Sequence, residues 1–319
     1  MSDTFTPPAP LQTAVLFLVF NRLDTTRRVF EAIRKAQPPR LYIAADGARV
    51  GKHGEAEKVQ AVRDYTMKNI DWKCEVKTLF RDQNLGCKYA VSGGISWFFE
   101  QEEQGIILED DCLPSQSFFW FCEELLERYA DDEQIFIITG YNKQQRWHPE
   151  IYDYFFSNFG GIWGWASWRR AWAHFDGDMK DLEYYANTNY FENLLGDKLG
   201  NLRKRELLAA KKKNQSGEIN SWGYPWAFSR HKQQGFACVA SVSLIQNIGF
   251  GEYATHTHGA EIDNVRSVEI NLPTCLNKSQ FPDVQYDLSF LNYASLPQRI
   301  LRRLGKLFYD ITIKRKTDR

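Results

Sequence analysis

This 319-residue chain has no CxxC pair and no regular cysteine spacing. Its six cysteines, Cys74, Cys87, Cys112, Cys122, Cys238 and Cys275, suggest neither a zinc ribbon nor a disulfide framework. Reduced thiols in a cytoplasmic protein are the expectation. Charge of one sign is also missing: 40 Lys and Arg balance 40 Asp and Glu. No whole-molecule field therefore draws in nucleic acid, and an electrostatic partner must be met by a local patch. No apolar run approaches the ~20 residues that span a bilayer. The opening residues MSDTFTPPAP hold an acid and three prolines, not the basic-then-apolar layout of a signal peptide. Internal repeats and low-complexity segments are lacking too.

What is present is ordinary globular usage, 43% hydrophobic and 25% charged, in a chain long enough for a large buried core. Residues 1–12 read as a disordered lead-in. Ala14–Phe20 is a continuous apolar run, the mark of a strand covered on both faces. Asp24 and Thr25 are placed to cap a helix that runs to Ala36, where Pro38-Pro39 stops it. Strands at Leu41–Ala45, Cys74–Phe80, Gly105–Leu108 and Ile135–Thr139 alternate with helices at Glu55–Lys68, Lys88–Glu100 and Phe118–Tyr129. This alternation predicts an α/β fold with a mainly parallel, Rossmann-type sheet flanked by helices. Residues 13–150 make its ligand-binding part and 151–285 an aromatic-rich second part of the same domain. Within the latter, Tyr184–Lys213 reads as helical. Residues 286–319 form a basic, amphipathic tail.

In open α/β sheets ligands bind beyond the carboxyl ends of the strands. Those ends carry Phe20-Asn21-Arg22, Asp46-Gly47, Arg81 through Gly86 and Glu109-Asp110-Asp111. Three carboxylates after a buried strand repel one another unless a cation neutralises them, and Mg²⁺ or Mn²⁺ suits such oxygen ligands. The bland alternative is that the acids cap the next helix. Asp46 either meets a ligand or only forms a turn with Gly47. Gly160, Gly161 and Gly164 stand among Trp163, Trp165, Trp168 and Trp172. These tryptophans, with Trp222 and Trp226, are either core or an aromatic wall for a sugar.

The Ile106–Asp111 segment resembles the strand-then-DXD motif of GT-A glycosyltransferases, in the EDD form of N-acetylglucosaminyltransferase I-type enzymes. With VFNR, GGIWGWASW and GEYATHT, roughly residues 13–260 are similar to bacterial nucleotide-diphospho-sugar transferases sometimes called haemolysin-like. The resemblance implies transfer of a sugar from a nucleoside-diphosphate donor to a glycan or lipid-linked acceptor in surface-polysaccharide assembly, with inversion and with Mn²⁺ or Mg²⁺. Asp111 would touch the metal directly, Asp110 would reach it through water or hold the ribose, and His256 would close over it, with His258 as the competing histidine. Phe20, Asn21, Arg22, Asp46, Arg81, Asn84, Gly86 and Lys88 would contact the nucleotide. Trp163, Trp165, Trp222 and Trp226 would face the acceptor.

An inverting transferase also needs a carboxylate base. The Ser221–Tyr224 segment, where the resemblance places it, holds no acid. Glu218 is the nearest, and Asp176, Asp178 and Asp181 form a second acidic cluster, in which Asp181 reads as solvated loop charge. A non-catalytic sugar- or nucleotide-sugar-binding protein is therefore one alternative. A nucleotidyltransferase is another, although VFNRLDTT is not the glycine-rich, arginine-containing loop such enzymes carry. The tail, with Arg299, Arg302, Arg303 and Lys306 among Ile300, Leu301, Leu304, Leu307 and Phe308, either rests on the domain or lies on the inner membrane.

Overall fold

A computed structural model of the protein describes residues 5–249, 265–275 and 281–291. His256, His258 and the basic stretch 298–319 lie outside the described residues. The elements run β1 (Val15–Val19), α1 (Leu23–Ala36), β2 (Arg40–Ala45), α2 (Glu55–Lys68), β3 (Glu75–Phe80), α3 (Gly86–Phe99), β4 (Gln104–Glu109), β5 (Cys112–Pro114) and α4 (Ser117–Arg128). They continue with β6 (Ile135–Thr139), β7 (Tyr154–Ser157), β8 (Trp165–Trp168), α5 (Arg169–Trp172), α6 (Leu182–Ala186), α7 (Tyr190–Leu195) and α8 (Asp197–Gln215). Last come α9 (Gly223–Lys232), β9 (Phe236–Ala240), β10 (Ile245–Asn247) and α10 (Val284–Phe290).

Eight strands form one sheet in the order β3-β2-β1-β4-β8-β6-β9-β7. The β3–β2, β2–β1, β1–β4 and β6–β9 pairs are parallel, while β8 and β7 run against their neighbours. The fold is thus the expected α/β, Rossmann-like arrangement. The strand β8 sits between β4 and β6, so the stretches before and after residue 150 share one sheet.

The continuous apolar runs are explained by burial on both faces. Val15, Phe17 and Val19 of β1 join one core with Val29, Phe30 and Ile33 of α1 and Phe118–Phe121 of α4. Ala14, Leu16 and Leu18 point to the other side, against Ile95, Phe98 and Phe99 of α3. In α1 the buried positions Thr26, Val29, Phe30, Ile33 and Ala36 recur at helical spacing. Its start differs from the expectation, because Asp24 and Thr25 already lie inside the helix. The Arg22 carbonyl accepts from Thr26 N at 3.0 Å and from the Thr25 and Thr26 hydroxyls. Gln37 in the left-handed conformation ends the helix before Pro38.

Three other expectations are corrected. In the lead-in, Leu11 is buried, Phe5 lies 5.4 Å from the Trp120 ring, and the Trp120 indole donates to Ala9 O at 2.8 Å. The single helical stretch over 184–213 is three helices, α6 to α8, separated at Asn187–Asn189 and at Gly196, whose φ is +77°. The tail begins later than 286: Tyr286 and Asp287 of α10 are buried, and Asp283 caps that helix through Gln285 N and Tyr286 N.

The second part of the chain is held by an indole cluster. Trp165 and Trp222 stack at 5.8 Å and 24°, and Trp226 lies 6.0 Å from Trp165 and 5.0 Å from Trp172. Trp165→Ala is expected to cost about 3–5 kcal/mol by the usual range for buried aromatics. Urea unfolding measures this; a loss under about 1 kcal/mol, the size of a surface change, would remove the cluster from its structural role.

Asp287 supplies a pH dependence. Burial pushes its carboxyl up to about 6, against the hydrogen bonds of Ser157 and Asn158 that favour the charged form. The native chain then keeps a proton that the unfolded chain has released, so stability from this group is full below pH ~4 and is lost as pH rises through ~6. The wild-type minus Asp287→Asn stability difference should fall by about 2 kcal/mol between pH 4 and pH 7. Urea titrations at both pH values check this, and a constant difference refutes it.

Candidate functional site

After β1 the chain crosses to β2 and β3 on one side of the sheet, then returns to β4 on the other side of β1. The carboxyl ends of β1 and β4 therefore flank a topological switch point, where an open α/β sheet leaves a crevice. Register brings the strand ends level, with Leu18 opposite both Ala44 and Glu109. All three line a cavity of about 510 Å³. Phe20, Arg22, Asp46, Arg81, Asn84, Gly86, Asp110, Asp111 and Trp163 line it too. All four polar strand ends singled out in the sequence meet there.

The Arg22 guanidinium bridges the acidic pair. Its Nη2 donates to Asp110 Oδ1 and, at 3.0 Å, to Asp111 Oδ2. The other Asp110 oxygen, Oδ2, is buried and has no hydrogen-bond partner. Burial pushes the Asp110 carboxyl up to about 6, with Arg22 opposing and Asp111 adding to the shift. Half-buried Glu109 is pushed up to about 8 by withdrawal from water and by Asp111 and Asp110. One guanidinium thus serves the two carboxylates Asp110 and Asp111, with Glu109 held toward its neutral form, and the pair is short of one positive charge. The helix-capping alternative for these acids fails, because β5 intervenes and the α4 N-terminus is served by Glu269, which accepts from Gln116 N and Ser117 N. Among the described residues no group of three or more His, Cys, Asp or Glu is placed to hold a metal ion. Asp110 and Asp111 are the two carboxylates available for one.

The Asp46 carboxylate works inside the protein. It accepts from Gly47 N, Leu85 N, Gly86 N and Asn84 Nδ2 at 2.9–3.1 Å. It fixes the 84–86 loop against β2, so Asn84 and Gly86 reach the cavity as its rim. Arg63 ties the same strand ends together through Asp46 O at 3.1 Å and Arg81 O at 2.6 Å. Arg81 donates to Ala90 O at 3.1 Å, bracing α3. Asn21 is not in the lining: its Nδ2 donates to Glu55 Oε1 at 3.0 Å. Glu55, held below the usual carboxylate range chiefly by its Arg49 hydrogen bond, orients Arg49 at the cavity edge.

Residues that sequence reading missed come from far along the chain. Asn220 accepts from Lys88 N in the first turn of α3, and an added Cβ on Gly86 would meet its amide at 2.6 Å. Asn247 and Gly249 arrive because β10 pairs antiparallel with β5, whose start follows Asp111 directly. Ile248 N donates to Asp111 O at 2.8 Å. The backbone comes so near that a Cβ on Gly249 would lie 2.2 Å from Asp111 Oδ2 and 2.8 Å from Arg22 Nη1. Only the repeated apolar-polar change around residues 245–249 hints at this in the sequence.

Other expected site residues are placed elsewhere. Trp165, Trp222 and Trp226 are corrected from acceptor wall to core, each 3% exposed or less. The glycines beside them serve close packing. A Cβ on Gly161 would strike the Tyr141 ring at 2.5 Å, and one on Gly164, at φ +66°, would strike Ile245 at 2.3 Å. Trp163 alone of the four lines the cavity, edge-on to Tyr141 at 4.7 Å. Glu218 is exposed, pairs with Lys213 at 2.7 Å, and does not line the cavity. Asp176 accepts from Asp178 N and Lys180 N, a loop-closing role. Asp178 pairs with Lys88 Nζ at 3.2 Å, beside the α3 turn that forms the wall, though neither residue is in the lining.

No protein family and no curated protein matches the sequence. Among solved structures, the crystal structure of HddC from Yersinia pseudotuberculosis matches at 12% identity with a TM-score of 0.27. The match covers 40% of this chain and 57% of that one.

Gly249→Ala is expected to lower the unfolding midpoint by a few degrees, since the added methyl meets Asp111 Cβ at 2.9 Å as well as the Asp111 and Arg22 side-chain ends, so the backbone has to give. It should weaken ligand binding in the cavity at least ~10-fold by forcing Asp111 and Arg22 apart. Isothermal titration with a cavity ligand checks this; unchanged affinity would show that the close approach is not needed.

Proposed function

We propose that this protein is a divalent-metal-dependent glycosyltransferase, related in fold to GT-A enzymes, that binds a nucleoside-diphosphate sugar in the switch-point cavity. The observation that carries the reading is the buried, partnerless Asp110 Oδ2 beside Asp111, in a centre with too little positive charge. Mn²⁺ or Mg²⁺ fits there, because such ions take one or two carboxylates and complete their shell with water and substrate phosphates. When bound, the ion supplies charge neutralisation for the departing diphosphate. The protein's own parts do the rest. Leu18, Ala44, Ala90 and Val91 offer an apolar wall for a base, and Arg81 and Arg49 bring positive charge to its edge. Asp46 holds the 84–86 rim rigid, so binding orders little further chain. Trp163 presents a ring at the side that a sugar would occupy.

The acceptor hydroxyl must lose its proton to a base. Of the three candidates, Asp178 is joined through Lys88 to the cavity wall, and it replaces Glu218 as first choice. That none of the three lines the cavity favours a second reading, a protein that binds the nucleotide sugar without transferring it. Hydrolysis of the donor with Mn²⁺ present separates the two.

The expected outcome of a thermal-shift screen with UDP-, GDP-, CMP- and dTDP-sugars is stabilisation by one nucleotide class, larger with Mn²⁺. A ligand at 100 times its Kd stabilises by about 2.7 kcal/mol. Asp111→Asn should remove the metal-dependent part while the metal-free melting curve stays near wild type. Stabilisation by Mn²⁺ that survives in Asp111→Asn would take the metal away from this centre, and no stabilisation by any donor would reject the reading.

A further inference from the structure

Arg22 stands where an incoming cation has to go. A single nitrogen, Nη2, donates to Asp110 Oδ1 and Asp111 Oδ2, one oxygen from each carboxylate of the pair. The side chain is held from the other side as well: Nη1 faces Gly249 at a spot where even a methyl group would come within 2.8 Å. Its own backbone plays a separate part, since the Arg22 carbonyl receives the first hydrogen bond of α1. A metal ion bound to both carboxylates and a guanidinium nitrogen bridging the same two oxygens are mutually exclusive in so small a space.

We infer that Arg22 is a resident counter-ion that a divalent metal displaces, and that the displaced guanidinium then takes the diphosphate of the donor. The inference rests on the metal-dependent reading above. Its physical basis is the mismatch between the two half-loaded states. Metal alone strips Arg22, a side chain only 20% exposed, of both its carboxylate partners. A lone diphosphate meets Asp110 and Asp111 with no added charge between. Metal and diphosphate together set each charge beside an opposite one, and the planar fork of arginine matches two phosphate oxygens. Each ligand therefore raises the other's affinity by the same factor, as linkage requires. Arg22 in this scheme holds the acidic pair together while the site is empty and binds the diphosphate when it is full.

The test uses the full-length chain with Mn²⁺ alone, followed by free-Mn²⁺ electron paramagnetic resonance, and then with preformed Mn²⁺-pyrophosphate, followed by calorimetry. Arg22→Gln should bind Mn²⁺ alone about 10-fold more tightly than wild type and Mn²⁺-pyrophosphate at least 10-fold more weakly, the reciprocal signature of one coupling. Arg22→Lys, which restores the charge without the fork, should return the Mn²⁺ affinity toward wild type. A structural role for Arg22 would move both affinities in one direction, together with the melting temperature. Unchanged or weakened Mn²⁺ binding in Arg22→Gln, with Asp111→Asn binding none, overturns the inference and spares the metal-dependent reading. If neither wild type nor Arg22→Gln binds Mn²⁺ better than Asp111→Asn does, both fall.

Discussion

Three consecutive acids at the end of a buried strand set the terms for the rest of this molecule. Glu109 and Asp110 are withdrawn from water beside Asp111, and that burial raises both of their carboxyls above the usual range. One guanidinium, from the residue that opens α1, partly relieves them. The relief depends on the β1–β4 register, which puts Leu18 level with Glu109. It also depends on the switch-point topology, which leaves no helix in the gap between the two strand ends. Shift that register and Arg22 faces apolar side chains while the carboxylates lose their counter-charge.

Around this centre the protein has built rigidity on one side and adaptability on the other. The Asp46 carboxylate is saturated by donors from its own loop and the next, and Arg63 locks the same two strand ends. A carboxylate so fully supplied with donors holds one loop geometry. The acidic centre is the opposite case, with one oxygen left without a partner. Incomplete pairing of a buried group is costly.

The indole cluster has a related purpose at a distance. Trp165 belongs to β8, the strand that separates β4 from β6, and its ring is packed by Trp222, Trp226 and Trp172. These contacts clamp α9 and the 214–222 turn onto the sheet. Asn220, at the end of that turn, then reaches the first turn of α3 and closes one side of the cavity. Aromatic packing that looks remote from the chemistry thereby fixes a wall of the site.

Much of this was readable from the chain alone. Buried parallel strands must be apolar throughout, so the runs at 14–20, 41–45 and 105–108 announced themselves. The polar residues that follow each run, Arg22, Asp46, Asn84 and Asp110-Asp111, had to meet at one edge of a parallel sheet. Local pattern could not assign the tryptophans, since an indole in a core and an indole on a sugar-facing loop have the same neighbours in sequence. Nor could it show that Asn220 and Gly249 enter the cavity while Glu218 stays in solvent with Lys213. Those outcomes come from the β5–β10 pairing and from the insertion of β8 into the sheet, contacts between residues far apart in sequence. The sequence determined which strand ends are charged, because burial leaves its mark on every residue of a run. Tertiary structure decided which distant side chains complete the site, because only long-range packing sets the distances between them.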